Sequence, residues 1–227
     1  MRLTIVIPAL LILLGCAQRE PSVAPHINDP LRSPDVAALA DRWEREQREV
    51  YRERERILAA LDIRPGQTIA DVGAGTGLFT AGLARATGPS GKVYAVDIVP
   101  EFVEHIRQRM AAAGVDNVEA RLCKEDSVEL PADSIDLAFV CDTYHHFEYP
   151  RSTLASIRRA LRPGGVLVVI DFERIEGQSS AWTLEHVRAG RETTQAEIEA
   201  AGFELAPAGA GSARLEENYF LRFKARD

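Results

Sequence analysis

Three things are scarce in this 227-residue sequence: cysteine, surplus positive charge and long apolar runs. The three cysteines, at positions 16, 123 and 141, are too few for a disulfide framework and do not sit at zinc-ligand spacing. Against 34 acidic residues there are 27 basic ones, a formal charge of −7, which argues against a nucleic-acid groove because such a surface needs clustered Lys and Arg in excess. A bilayer span takes roughly 20 apolar residues, whereas residues 3–14 form an apolar run of twelve interrupted by Pro8. Low-complexity tracts are also missing. With 46% of its residues apolar, the chain has ample surface to bury against the entropy of ordering it, and its length suits one domain.

The amino-terminal end reads separately. Arg2 and the terminus make a short positive region ahead of the apolar run, the pattern of an export signal. Leu13-Leu14-Gly15-Cys16 resembles the bacterial lipoprotein signal, with Leu at minus three, a small residue before the cut and Cys first in the mature chain. The resemblance implies that residues 1–15 are removed and that Cys16 is lipidated. Three acyl chains exceed the two signals that stable anchoring needs, so the mature protein is expected at the cell envelope, facing the periplasm. Ala17, rather than Asp, after the lipidated Cys implies the outer membrane over the inner. Residues 16–33 then read as a tether, polar and broken by Pro21, Pro25 and Pro30. Residues 34–63 read as a helical segment, with Ser33-Pro34 as N-cap and first-turn proline, and Val36, Leu39, Trp43, Val50, Ile57 and Leu61 near helical spacing. The alternating charges of residues 44–56 read as a solvated face.

The chemistry begins after the Pro65-Gly66 turn. Residues 68–72 read as a strand, Gly73-Ala74-Gly75-Thr76-Gly77 as a glycine loop and residues 78–87 as a helix. Glycine at alternate positions lets the backbone turn sharply and approach a ligand without Cβ interference. A dinucleotide fingerprint would need glycine at position 78, where Leu stands, and a phosphate loop would end in Gly-Lys-Ser/Thr, which is absent.

Asp71-x-Gly-x-Gly-x-Gly resembles the first motif of the class I, Rossmann-like S-adenosylmethionine-dependent methyltransferases, and the likeness continues in order over residues 55–227. The second strand, residues 92–96, ends in Asp97; a third, 119–123, is followed by Lys124-Glu125-Asp126; a fourth, 134–141, runs into Asp142-Thr143-Tyr144-His145-His146-Phe147; Leu161-Arg162-Pro163-Gly164-Gly165 turns into a fifth, 166–170. The resemblance implies S-adenosyl-L-methionine as cofactor. Gly73, Gly75 and Gly77 would make room for its methionine part, Asp71 would help hold the ammonium, Asp97 would accept the ribose hydroxyls and Asp126 the adenine amino group, with Asp142 at the same site. His145 and His146, after the fourth strand, are the candidates for taking a proton from a small-molecule methyl acceptor. No metal is expected: Asp142 and Asp171 end strands as in catechol-type O-methyltransferases, but Phe172 stands where the third ligand would be. His26, His105 and His186 carry no motif.

Short apolar strands alternating with helical segments at 78–87, 100–113 and 150–161 imply a mostly parallel sheet with helices on both faces, independently of any family. Thr194-Gln195-Ala196-Glu197 reads as a capping box, and residues 203–205 and 218–224 as strands of a closing hairpin. The expectation is an α/β/α sandwich over residues 64–227, with a mostly parallel seven-stranded sheet and a C-terminal antiparallel hairpin. Cys123 and Cys141 fall on separated strands and are expected as free thiols. The rival function is a non-catalytic envelope lipoprotein that keeps the fold as a ligand-binding or scaffold module.

Overall fold

A computed structural model describes residues 20–207 and 214–226; the export signal and Cys16 lie outside the described residues. The elements run α1 (Val36–Trp43), α2 (Glu49–Arg52), α3 (Arg54–Ala60), β1 (Thr68–Val72), α4 (Thr80–Thr87), β2 (Lys92–Asp97), α5 (Pro100–Ala112), β3 (Val118–Leu122), β4 (Ile135–Cys141), a 3-10 turn (Tyr144–His146), α6 (Pro150–Ala160), β5 (Leu161–Phe172), α7 (Ala181–His186), α8 (Arg191–Ala200), β6 (Phe203–Ala206) and β7 (Asn218–Ala225). The seven strands form one sheet in the order β3-β2-β1-β4-β5-β7-β6. The first five are parallel, and β7 runs antiparallel to both β5 and β6, which is the expected architecture.

Period-two alternation builds the two cores. Ile69, Leu137 and Phe139 pack on one face with Leu83 of α4 and Ile57 of α3, while Ala70, Val72, Ala138 and Val140 pack on the other with Leu154 and Ile157 of α6. The strand order reverses between β1 and β4, so their carboxyl ends diverge and open a crevice there. Val72 pairs with both Val96 and Val140, which aligns the ends of β1, β2 and β4 along that crevice. Cys123 and Cys141 are free thiols, with β2 and β1 between their strands. No helix among the described residues is long and apolar enough to cross a membrane.

Three local expectations change. The helical segment is broken into α1, α2 and α3, and α1 is capped by Asp35, whose Oδ1 accepts from Ala38 N at 3.0 Å, one position beyond the Ser33-Pro34 pair. Thr194 does not cap a helix: Gly190 precedes α8, and Thr194 lies inside it, accepting the Tyr219 hydroxyl at 2.9 Å. Residues 20–33 are no loose tether but lie on the domain. The Glu20 carboxylate accepts the backbone N–H groups of Arg151 and Ser152, at 3.1 and 2.7 Å, in the first turn of α6, where a helix leaves donors without partners and favours negative charge. Val23 N donates to Glu148 O at 2.9 Å, and Ser22 Oγ to Glu148 Oε2 at 2.9 Å. Within this stretch only Asp29–Leu31 is regular, as a 3-10 turn, and polar, proline-broken composition said nothing about docking by single side chains.

Candidate active site

The end of β1 and the turn after it make the floor of the crevice. Gly73 N and Ala74 N both donate to Val96 O, at 2.8 and 3.2 Å, folding the loop back over β2. Gly73 has φ 66°, and a Cβ built on it would meet the Thr143 side chain at 2.1 Å; that side chain is fixed by donation from its Oγ1 to Cys141 O at 2.9 Å. Only glycine meets both demands. Asp71 is buried under the loop and accepts from Thr80 Oγ1 at 2.6 Å. Burial pushes its carboxyl up to about 7, outweighing the Thr80 hydrogen bond, and the neighbouring Asp97 pushes in the same direction. Asp97, ending β2, accepts from Gly75 N through Oδ2 at 2.8 Å and from Val99 N through Oδ1 at 2.9 Å. Burial pushes it up to about 6 against those backbone donors.

Above this floor is a cavity of about 680 Å³ lined by Asp71, Gly73, Gly75, Asp97, Asp142, His145 and His146 among others. Gly77 is not among its walls: a Cβ there would meet Ile106 of α5 at 3.1 Å, so this glycine serves close helix packing. Asp126 lines an adjoining hollow of about 670 Å³ with Ile98, Val99 and Lys124. Asn28, Ile98, Val99 and Cys123 are common to both, so the two spaces meet along a shared wall.

The roof comes from residues 27–50, which sequence reading left out of the site. Trp43 stands over Gly75, 3.4 Å from where a Cβ would be, and its ring centroid is 5.6 Å from that of Phe102. The Glu44 carboxylate pairs with the Arg109 guanidinium, Nη2 to Oε2 at 2.9 Å, and accepts Thr76 Oγ1 at 2.8 Å. Burial works against its charge, but Arg109 and Thr76 hold it below the usual carboxylate range. Arg48 reaches Asp142 Oδ2 from two nitrogens, at 2.7 and 3.2 Å, while Asn218 Nδ2 donates to Asp142 Oδ1 at 2.6 Å. Both oxygens of Asp142 are therefore engaged by protein groups. Its side chain is 2% exposed, its φ of 47° is unusual for a non-glycine residue, and burial keeps its pKa above the ordinary value despite Arg48.

The histidines form the wall after β4. His145 is buried against Asp171 of β5, Nδ1 to Oδ1 at 2.7 Å, and its backbone N donates to Asp171 Oδ2 at 2.9 Å. Burial works against the Asp171 charge, yet His145 and two backbone donors hold its pKa low. Asp142 and Asp171 thus both have their oxygens engaged by protein groups. His146 Nδ1 lies 3.0 Å from Asn28 Oδ1, and Asn28 Nδ2 donates to the His146 carbonyl at 3.1 Å. Burial, with His145 and His186 nearby, pushes the His146 pKa down to about 3. His186, at the end of α7, completes a cluster: its ring centroid is 5.2 Å from those of His145 and His146 and 4.7 Å from that of Trp182. Nothing in the sequence around His186 signalled this, because its partners lie some 40 positions earlier.

Residues 70–169 match the protein family described as a methyltransferase domain. Among curated proteins, the ubiquinone/menaquinone biosynthesis C-methyltransferase UbiE of Burkholderia mallei is 31% identical over 118 residues, 52% of this chain and 48% of that protein. The chain spans about half the length, or less, of the first curated relatives it matches. A SAM-dependent methyltransferase from Aquifex aeolicus superposes with a TM-score of 0.73 at 23% identity, covering 85% of this chain and all of that one. The [4+2]-cyclase SpnF shares the fold at a TM-score of 0.63 and 19% identity, over 77% of this chain and 80% of its own, so the fold alone does not fix the reaction. The sequence match falls on the strands and turns that build the cavity floor, so residues 70–169 are similar to a methyltransferase domain, a likeness that implies S-adenosyl-L-methionine as cofactor.

Proposed function

We propose that the whole chain is an S-adenosyl-L-methionine-dependent methyltransferase acting on a small-molecule acceptor, held at the cell envelope through lipidated Cys16. The observation that carries the activity is one cavity lined at once by Asp71, the glycine loop, Asp97 and the His145-His146 pair. The bound cofactor supplies a methyl group on a sulfonium, which needs a nucleophile in line and water kept away. Asp97 spends one lone pair of each oxygen on a backbone N–H, which leaves acceptor capacity for two ribose hydroxyls. Asp71 offers negative charge to an ammonium beside the loop. Ile98 and Val99 give an apolar wall that leads toward Asp126, where an adenine amino group would donate. Trp43 and the Glu44–Arg109 pair cover the loop from above. The histidines face the acceptor: Nδ1 of each is committed behind the ring, which leaves Nε2 toward the cavity.

Calorimetry on the full chain tests this reading. Micromolar binding of S-adenosylmethionine or S-adenosylhomocysteine, lost in Asp97→Ala, supports it; a chain that binds neither is the non-catalytic module. Acceptors are then found by screening with methyl-labelled cofactor. The anchoring proposal rests on the Leu13-Leu14-Gly15-Cys16 motif and is tested by labelling cells with a fatty-acid analogue. Label present in the natural chain and absent in Cys16→Ser supports lipidation, and equal label in both refutes it. Cell fractionation then separates outer from inner membrane.

A further inference from the structure

Three histidines meet in the cavity wall from two distant parts of the chain. One ring nitrogen from each of His145, His146 and His186 lies within 4.8 Å of the others. On two of the rings the other nitrogen is already fixed: His145 Nδ1 against the buried Asp171 carboxylate at 2.7 Å, and His146 Nδ1 against Asn28 Oδ1 at 3.0 Å. A carboxylate or carbonyl oxygen behind an imidazole sets its tautomer, so that the proton sits on Nδ1 and the lone pair on Nε2. That arrangement is the one metal-ligating histidines show, with an oxygen acceptor behind the ring and a free lone pair in front. All three residues line the 680 Å³ cavity, so an ion held by them would keep a side open to a ligand.

We propose that His145, His146 and His186 hold a divalent transition-metal ion, zinc being the probe of choice, which takes a heteroatom of the methyl acceptor as its further ligand. Three neutral imidazoles with an open position form a known type of catalytic zinc site, and imidazole suits zinc, copper, iron and nickel over magnesium or calcium. The proposal departs from the sequence-based expectation of no metal, which considered only the carboxylates of Asp142 and Asp171. Asp171 contributes as the residue that orients His145, and Asn28 does the same for His146.

The part concerning the acceptor rests on the methyltransferase reading; the metal site itself does not. The acceptor class that follows is a hydroxyl or thiol compound. Its O–H or S–H proton leaves to solvent as the heteroatom joins the ion, and the retained electron pair attacks the methyl carbon. The carbon–sulfonium bond breaks with its electrons left on sulfur, giving S-adenosylhomocysteine. A histidine whose Nε2 lone pair is given to an ion cannot also accept a proton, so ligation replaces the base role of His145 and His146.

The test uses the untagged full chain, stripped with a chelator and titrated with zinc chloride by calorimetry, with cobalt(II) absorption as a second readout. The expected result is one ion per chain, with affinity reduced by about 100-fold or more in His186→Ala and His146→Ala, and by roughly 10- to 100-fold in Asn28→Ala, which removes the acceptor behind the His146 ring and leaves all three ligands in place. His186 is half-buried at the end of a short helix, so its variant is the one best placed to fold, and S-adenosylmethionine binding by that variant reports an intact domain. Zinc binding that is absent, or equal in the natural chain and in His186→Ala, overturns the proposal. If zinc fails while cofactor binds, the metal site is wrong and the methyltransferase reading stands; if zinc binds and cofactor does not, the metal site stands alone.

Discussion

On the proposed reading, the two buried aspartates at the floor of the cavity make cofactor binding a proton-coupled event. Burial places Asp71 at about 7 and Asp97 at about 6, against 3.8 for an ordinary aspartate. For an acid whose pKa is raised by folding, the folded state holds more protons than the unfolded one, so the stabilisation is complete below the unfolded value and is lost as pH rises through the folded value. The free protein should therefore lose stability between about pH 4 and pH 7, by on the order of 4 kcal/mol from Asp71, at about 1.4 kcal/mol per tenfold change in proton affinity. A cationic ligand inverts the preference, because it needs both carboxylates ionised. The other charges near them are already paired, Glu44 with Arg109 and Arg48 with Asp142. Lowering the pH from 8 to 5 should weaken S-adenosylmethionine binding about 100-fold through Asp71 and about 10-fold through Asp97, on the order of 1000-fold together. Titration calorimetry across that range, in two buffers of different ionisation heat, reads both the affinity and the protons released. Asp71→Asn should bind more weakly at pH 8 and show a slope reduced to about 10-fold over the same range. Affinity that varies less than about 3-fold between pH 5 and 8, with heats independent of buffer, would refute the reasoning.

Gly73→Ala forces a side chain into a positive-φ position against Thr143; it should cost about 1–3 kcal/mol in thermal unfolding and abolish cofactor binding, and an unchanged melting curve would contradict this. Glu49→Gln weakens an acceptor of three consecutive backbone N–H groups, those of Glu216, Glu217 and Asn218, and should lower stability by about 1.5–3 kcal/mol in urea unfolding. Arg48→Ala leaves Asp142 buried without its cation, at a cost of about 3–5 kcal/mol. That loss should shrink as pH falls and Asp142 takes up a proton, so a pH-independent loss in denaturant melts would count against the pairing.

The sheet was legible because strands buried on both faces cannot hide their apolar character, and because glycine and proline punctuate them. Residues 68–72, 92–97 and 135–141 announce themselves by composition, and their parallel pairing follows from the helices between them. The glycine loop was legible for a related reason: backbone that turns at positive φ, as at Gly73, Gly75 and Gly77, has few residue choices. Where the reading failed, it relied on local signals that longer contacts overrode. Thr194 and Glu197 have the spacing of a capping box, yet the Tyr219 hydroxyl takes the threonine and Tyr144 and Arg188 take the glutamate.

The least legible part was the roof. Arg48, Glu44 and Trp43 lie in a stretch whose alternating charges look like a solvated helix face, and the i to i+4 rule accounts for such a pattern without any tertiary partner. In the fold those charges are spent across the crevice: Arg48 on Asp142, 94 positions away, and Glu44 on Arg109, 65 positions away. An exposed ion pair contributes little, but a pair that shields a buried carboxylate decides whether that carboxylate is tolerated at all. Asp142 at positive φ is tolerable because Arg48 and Asn218 hold both its oxygens, and Asn28 has a similar relation to His146 through a segment that composition marks as linker. The amino-terminal residues therefore complete the site, supplying the countercharge and orientation that the loop after β4 lacks. Deleting residues 20–47 should then disable ligand binding while leaving the parallel strands intact, because those residues contribute no strand to the sheet and bury no large apolar side chain in the core, and Arg48 and Glu49 stay behind to hold Asp142 and the backbone of residues 216–218.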